Sequence, residues 1–321
     1  MDPAIGPFDT VTVFGGASVD RIARADGRLV MGASNPGTVK RLPGGVALNV
    51  ASILARLGLT ARLVARVGDD DDGQAVLRAA KAAGVDVSAV QTSPTLPTAG
   101  YHATFDEAGN LVVGVADMAI CDEITPAAIA PAASDRDVSD FWVADANLPA
   151  DALAFLVAEA RAIKRPIAAL TVSPAKAARW ISLLDQVSHV FTNRREAAVL
   201  ASHDPDDAGT TPARLAGELA RPRFAKIVVS NGAEPLAIAC SADVRSFVVL
   251  RTLVKTVNGA GDSLAAGTIA GLAEGRTLGD AVRFGLAAAA LTLESGGVAL
   301  APFTPTSLSE RIGASPQRAS A

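Results

Sequence analysis

The chain has 321 residues, half of them hydrophobic, with 28 glycines, 18 prolines and a formal net charge of -4, the make-up of an ordinary globular enzyme with a large core. Its acidic residues are scattered and no Lys/Arg stripe could neutralise a run of phosphates, which argues against a nucleic-acid partner. No basic region followed by an apolar stretch opens the chain and no apolar run is long enough to span a bilayer, so a cytoplasmic protein without membrane contact is expected.

Taken in chain order, the β-branched run at 11–14 predicts a first strand. Turn signals such as Asn35-Pro36-Gly37 then divide residues 18–42 into short extended segments. After Gly44-Gly45, the residues Val46, Val50, Ile53, Leu54 and Leu57 recur at helical spacing, and Gly58 stands where a left-handed cap is wanted. Residues 96–118, with Glu107-Ala108-Gly109-Asn110 as a turn, read as further strands that join 18–42 in a small lid sheet. Runs at 62–67, 141–144, 167–171, 190–192 and 227–230 alternate with Ala- and Leu-rich helical stretches. Strands alternating with helices pair in parallel through right-handed crossovers, which predicts an open, mostly parallel α/β sheet with helices on both faces. Ligands on such sheets sit beyond the carboxyl ends of the strands. No low-complexity linker divides the chain, so one domain over 8–313 is expected, with a frayed tail at 314–321. Cys121 and Cys240 are far apart and His102, His189 and His203 are isolated, so two buried, reduced thiols are expected and no zinc site.

Thr256-Val257-Asn258-Gly259-Ala260-Gly261-Asp262 is the most informative stretch, followed by a small-residue helix. Its glycines let successive N–H groups and a helix N-terminus converge on one point, a favourable place for phosphate. Asp262 would open that helix, where positive potential favours an ionised carboxylate, as a base at neutral pH requires. In phosphoryl transfer such amides stabilise the moving group while one carboxylate accepts the proton of the attacking hydroxyl. Taken alone, the same segment could be a mere loop and helix cap. Two rival phosphate motifs fail. Gly32 and Gly37 have P-loop spacing, but Thr38 and Val39 replace Lys and Ser/Thr, and Gly15-Gly16 lacks the G-x-G-x-x-G pattern of a dinucleotide site.

These residues resemble the ribokinase-like (PfkB) family of carbohydrate and nucleoside kinases over nearly all of residues 10–303. Gly44-Gly45-Val46-Ala47-Leu48-Asn49-Val50-Ala51, continuing to Gly58 and Gly68, matches one family signature, and Gly259-Ala260-Gly261-Asp262 the other. The resemblance implies a Rossmann-like α/β fold with a β-sheet lid, and ATP-dependent phosphorylation of a sugar or nucleoside hydroxyl with Mg2+. It implies Asp262 as general base and Gly259, Ala260 and Gly261 as an anion hole. Asp20, Gly44, Gly45 and Asn49 match acceptor-binding positions. Asn193 and Glu196 match an N-x-x-E element that organises magnesium and phosphate through water. Ser230, Asn231, Gly232 and Asn258 are implied as nucleotide contacts, and 287–297 as the wall of the adenine pocket. Family lids often pair between subunits, which implies a homodimer.

Within the family, Ser34-Asn35-Pro36-Gly37, Val115-Ala116-Asp117-Met118 and Val143-Ala144-Asp145-Ala146-Asn147 resemble the branch that acts on pseudouridine. The implied acceptor is then its 5'-hydroxyl, with Asn35 and Asp117 pairing with the base and Asp145 beside the substrate. Another nucleoside or a pentose or ketose sugar is the nearest alternative, and a non-catalytic nucleoside-binding protein a more distant one. Thr256 replaces an acidic residue bordering a monovalent-cation site, which weighs against potassium activation. Leu170-Thr171 replaces Asp-Pro, removing a carboxylate, so altered magnesium handling is expected.

Overall fold

The computed structural model describes residues 6–107, 111–135, 140–207, 209–220 and 226–313. The predicted tail and positions 108–110 of the predicted turn lie outside the described residues. In chain order the strands are β1 (Thr10–Phe14), β2 (Ser18–Ala25), β3 (Gly37–Gly44), β4 (Thr60–Val64), β5 (Arg66–Gly68), β6 (Gln91–Ser93), β7 (Ala99–Phe105), β8 (Leu111–Asp117), β9 (Phe141–Asp145), β10 (Ile167–Leu170), β11 (His189–Asn193), β12 (Lys226–Asn231), β13 (Glu234–Cys240) and β14 (Asp243–Phe247).

Eight of them form the main sheet in the order β14-β13-β12-β11-β10-β9-β1-β4. The pairs from β4 to β12 are parallel, and β13 and β14 close one edge as antiparallel strands. Parallel strands are covered on both faces and need apolar residues on both. In β9, Phe141 and Val143 enter the core on one side, with helices Val46–Arg56 and Ala260–Ala273, while Trp142 and Ala144 enter the core on the other. Helix Ala260–Ala273 lies tight against helix Leu278–Ser295 because both are lined with small residues. A Cβ on Gly267 would stand 2.8 Å from the Phe284 carbonyl oxygen, and one on Gly285 2.4 Å from that of Leu264. This packing bears out the reading of 263–275 as a closely packed helix.

The predicted strand 62–67 is two strands. β4 stays in the main sheet, whereas β5 turns away to pair in parallel with β6. The β13–β14 edge was not predicted, since alternating Ala in Pro235-Leu236-Ala237-Ile238-Ala239 carries a weak strand signal. The strands β2, β3, β7 and β8 form a separate four-stranded sheet in the order β3-β2-β7-β8. It is tied to helix Asp71–Ala82 by Asp72, whose carboxylate accepts from both Arg21 and Arg41. Cys121 is buried, its thiol pushed up to about 12 mainly by burial, but Cys240 is only half-buried, so the expectation of two buried thiols holds for Cys121 alone. Among the described residues no helix is long and apolar enough to cross a membrane.

Candidate active site

Two cavities meet beside the start of helix Ala260–Ala273. The first, of about 750 Å³, lies between the small sheet and the loops at 254–259 and 295–300; Asp20, Gly44 and Asn49 line its inner end. The second, of about 890 Å³, lies over the carboxyl ends of β10, β11 and β12, where Thr171, Asn193, Glu196 and Ser230 face it together with Ala260, Gly261 and Asp262. Val254 and Val257 belong to both.

Local sequence explains the junction. Gly45 precedes helix Val46–Arg56 with φ +95°, and a Cβ there would come within 2.6 Å of the Gly16 carbonyl oxygen and 2.8 Å of the Ala17 Cα, so only glycine fits. Asn49 sits one turn into that helix, on the side left open by the buried Leu48 and Val50. Its Nδ2 donates to Asp262 Oδ2 at 2.7 Å. Gly259 takes φ +79° immediately before helix Ala260–Ala273, whose first turn has no side-chain cap. The leading N–H groups therefore have no side-chain partner at the rim of the second cavity.

The charge state of Asp262 differs from the expectation. Desolvation in the cleft raises its pKa to about 7; the hydrogen bond from Asn49 opposes this, while the charges of Asp145, Asp20 and Glu196 add to it. Burial and neighbouring carboxylates outweigh the helix terminus. Asp20 is also raised, chiefly by burial, against a hydrogen bond from Ser18.

Asn193 and Glu196 form a capping box at the start of helix Arg194–Leu200. Asn193 Oδ1 accepts from the Glu196 N–H at 3.0 Å, and Glu196 Oε2 accepts from the Asn193 N–H at 3.2 Å. Glu196 Oε1 accepts from Asn193 Nδ2 at 2.6 Å, and Thr171 Oγ1 donates to Oε2. Ser230, Asn231 and Gly232 line the second cavity at the end of β12. The 287–297 segment divides: Ala289, Ala290 and Leu293 wall the second cavity, and Ser295, Gly296 and Gly297 the first.

Besides Gly45, which shapes the turn and lines neither cavity, four expected site residues are placed elsewhere. Asn35 lines neither cavity; its side chain is spent on its own loop, accepting from the Val30 N–H and donating to the carbonyls of Val30 and Ala33. Asp117 is exposed at the end of β8 and lines neither cavity. Asp145 is fully buried and pins the turn after β1, its two oxygens accepting from the N–H groups of Gly16 and Asn147. Burial pushes its carboxyl up to about 6, while these bonds and the charge of Lys176 pull it down. Asn258 faces the first cavity rather than the second. Sequence reasoning missed the Thr171–Glu196 contact; it read Leu170-Thr171 only as a pair that lacks the carboxylate of Asp-Pro.

The pfkB family carbohydrate kinase pattern matches residues 9–306. The chain belongs to the pfkB family of carbohydrate kinases. It is similar to the pseudouridine kinase of Escherichia coli (strain K12), with 29% identity covering 89% of this chain and 90% of that protein. A solved carbohydrate kinase from Agrobacterium tumefaciens superposes with a TM-score of 0.83 at 33% identity, over 97% of this chain and 99% of the other. Arabidopsis thaliana ribokinase, solved with ribose and ATP, shares the fold with a TM-score of 0.78 at 17% identity, covering 96% and 99%. As a pfkB kinase the protein is a phosphotransferase acting on a hydroxyl group of a sugar or nucleoside, and its main and small sheets are those of the ribokinase fold.

Proposed function

We propose that the protein transfers the γ-phosphoryl group of ATP to a sugar or nucleoside hydroxyl, with the 5'-hydroxyl of pseudouridine as the first acceptor to consider. The observation that carries this reading is the Asn49–Asp262 hydrogen bond, which joins a side chain of the first cavity to one of the second. The first cavity takes the acceptor, with Asp20, Asn49 and the backbone at Gly44-Gly45 holding its hydroxyls and Asn258 on the opposite wall. The second takes ATP, with Ser230-Asn231-Gly232 at the nucleotide and Asn193 and Glu196 toward the phosphates.

Asn49 Nδ2 takes one acceptor site on Oδ2 of Asp262 and orients the carboxylate, which accepts the proton as the acceptor oxygen attacks phosphorus. The N–H groups at Gly259, Ala260 and Gly261 hold the oxygens of the moving phosphoryl group, where charge accumulates. Among the described residues no group of three or more His, Cys, Asp or Glu could cage a metal. Glu196 on the wall of the second cavity suits Mg2+, which keeps waters and binds through one or two carboxylates plus substrate phosphates. Mg2+ would neutralise phosphate charge there, with Glu196 and Asn193 holding its water shell.

The small sheet acts as the lid of one domain spanning 8–313. Exposed Val39, Val113 and Val115 on the lid's outer face support pairing with a second copy. We assign the protein to the cytoplasm, where its nucleotide is abundant. Incubation with Mg2+ and ATP against pseudouridine, other nucleosides, pentoses and ketoses, followed by detection of ADP and phosphorylated product, tests the reading. Pseudouridine 5'-phosphate is expected; a sugar phosphate alone would move the acceptor assignment, and no product from any acceptor would remove the kinase assignment.

A further inference from the structure

Glu196 is only 6% exposed, and three donors already meet its carboxylate: the Asn193 N–H and the Thr171 hydroxyl on Oε2, and Asn193 Nδ2 on Oε1. A carboxylate offers about four lone-pair sites. One therefore remains, on Oε1. We propose that Thr171 is a positioning residue that fills Oε2 of Glu196 and so restricts its dealings with the metal-bound nucleotide to a single contact, from Oε1.

The backbone around Thr171 is built to hold that hydroxyl in place. Thr171 is itself buried, at 1% exposure, at the carboxyl end of β10. Its N–H donates to the Phe191 carbonyl, and the preceding carbonyl, of Leu170, accepts from Trp180 Nε1 at 3.1 Å. The next residue, Val172, has φ +67°, and the Ser173 N–H closes back on the Thr171 carbonyl at 2.8 Å. A β-branched residue in a three-residue turn of positive φ is strained and persists only where its surroundings over-determine it. The strain sits on the wall of the second cavity, where Thr171, Val172 and Glu196 face the same space. A threonine here supplies Glu196 with a hydroxyl donor that the proline of an Asp-Pro pair would lack.

This inference rests on the assignment of the second cavity to ATP. Isothermal titration of ATP with and without Mg2+ tests it in the wild type and in Thr171→Val, Thr171→Ala and Thr171→Ser. The Ala and Ser variants lose the same methyl and differ only in the hydroxyl, so their comparison stands even if the valine variant folds poorly. Loss of a group that orients a metal-site ligand costs on the order of 10-fold in metal affinity. Thr171→Ala and Thr171→Val are expected to weaken Mg2+-dependent ATP binding roughly 10-fold, leave metal-free ATP binding within about two-fold, and raise the Mg2+ concentration for half-maximal turnover. Thr171→Ser is expected to restore all three. Equal losses with and without Mg2+, wild-type values in Thr171→Ala, or no recovery in Thr171→Ser would overturn the proposal. A wild type that binds Mg2+ and ATP yet phosphorylates no acceptor sinks the kinase reading alone, whereas a wild type that binds no ATP sinks both.

Discussion

The Asp262 carboxyl, held at a pKa of about 7 by burial, is half protonated near neutrality in the unliganded protein. Since the base must be ionised, kcat/KM for the acceptor is expected to rise with pH through about 7 and then level, as a pH–rate profile would read directly. Stability should move the other way. Between the usual carboxylate value of 3.8 and about 7 the folded state holds a proton that the unfolded state has released, so unliganded stability falls as pH rises through that window. Asp262→Asn is expected to lower turnover by about 10²–10⁴-fold with little change in ATP binding. The same variant should melt higher than wild type at pH 8 and no higher at pH 4, by scanning calorimetry. Asp262, Asn49, Asn193 and Glu196 stand in short motifs, and the fold brings all four to the walls of the two cavities. Asn35 and Asp117 were misplaced because their neighbours suit a turn and a strand end as well as a ligand, and only the packed loop shows which prevails.

A tight turn and an ion-pair contact fix how the elements approach one another. At Gly45 a methyl group would meet backbone atoms of Gly16 and Ala17 that have no room to yield. Gly45→Ala is expected to cost on the order of 1–3 kcal/mol by denaturant unfolding and to lower turnover, because helix Val46–Arg56 carries Asn49 to Asp262. The small sheet hangs on a different contact. The Asp72 side chain is 13% exposed and holds Arg21 on β2 and Arg41 on β3. Asp72→Ala is expected to raise the acceptor KM several-fold while ATP binding is kept, since it loosens one wall of the first cavity only. The helix after Gly44-Gly45 and the strands of the small sheet were readable from periodicity and turn chemistry. The separation of β5 from β4 was not, since a continuous β-branched run does not say where pairing partners change.

At the scale of the whole molecule, the outer face of the small sheet exposes Val39 (69%), Val113 (53%) and Val115 (60%), which share one side through the β3-β2-β7-β8 register. If that face pairs two copies, sedimentation velocity will give a dimer, and Val113→Glu with Val115→Glu will give a monomer that still binds ATP. Sequence by itself determined the alternation of strands and helices, the two glycine-rich turns and the carboxylate behind one of them, because periodicity and turn preference act over a few neighbouring residues. Tertiary structure alone decided that Asn49 meets Asp262 from 213 residues away, that Thr171 fills one oxygen of Glu196, and that Asp262 is held near neutrality rather than fully ionised. Those outcomes depend on desolvation and on which distant groups the packed core forces together, and neither is encoded at any one position of the chain.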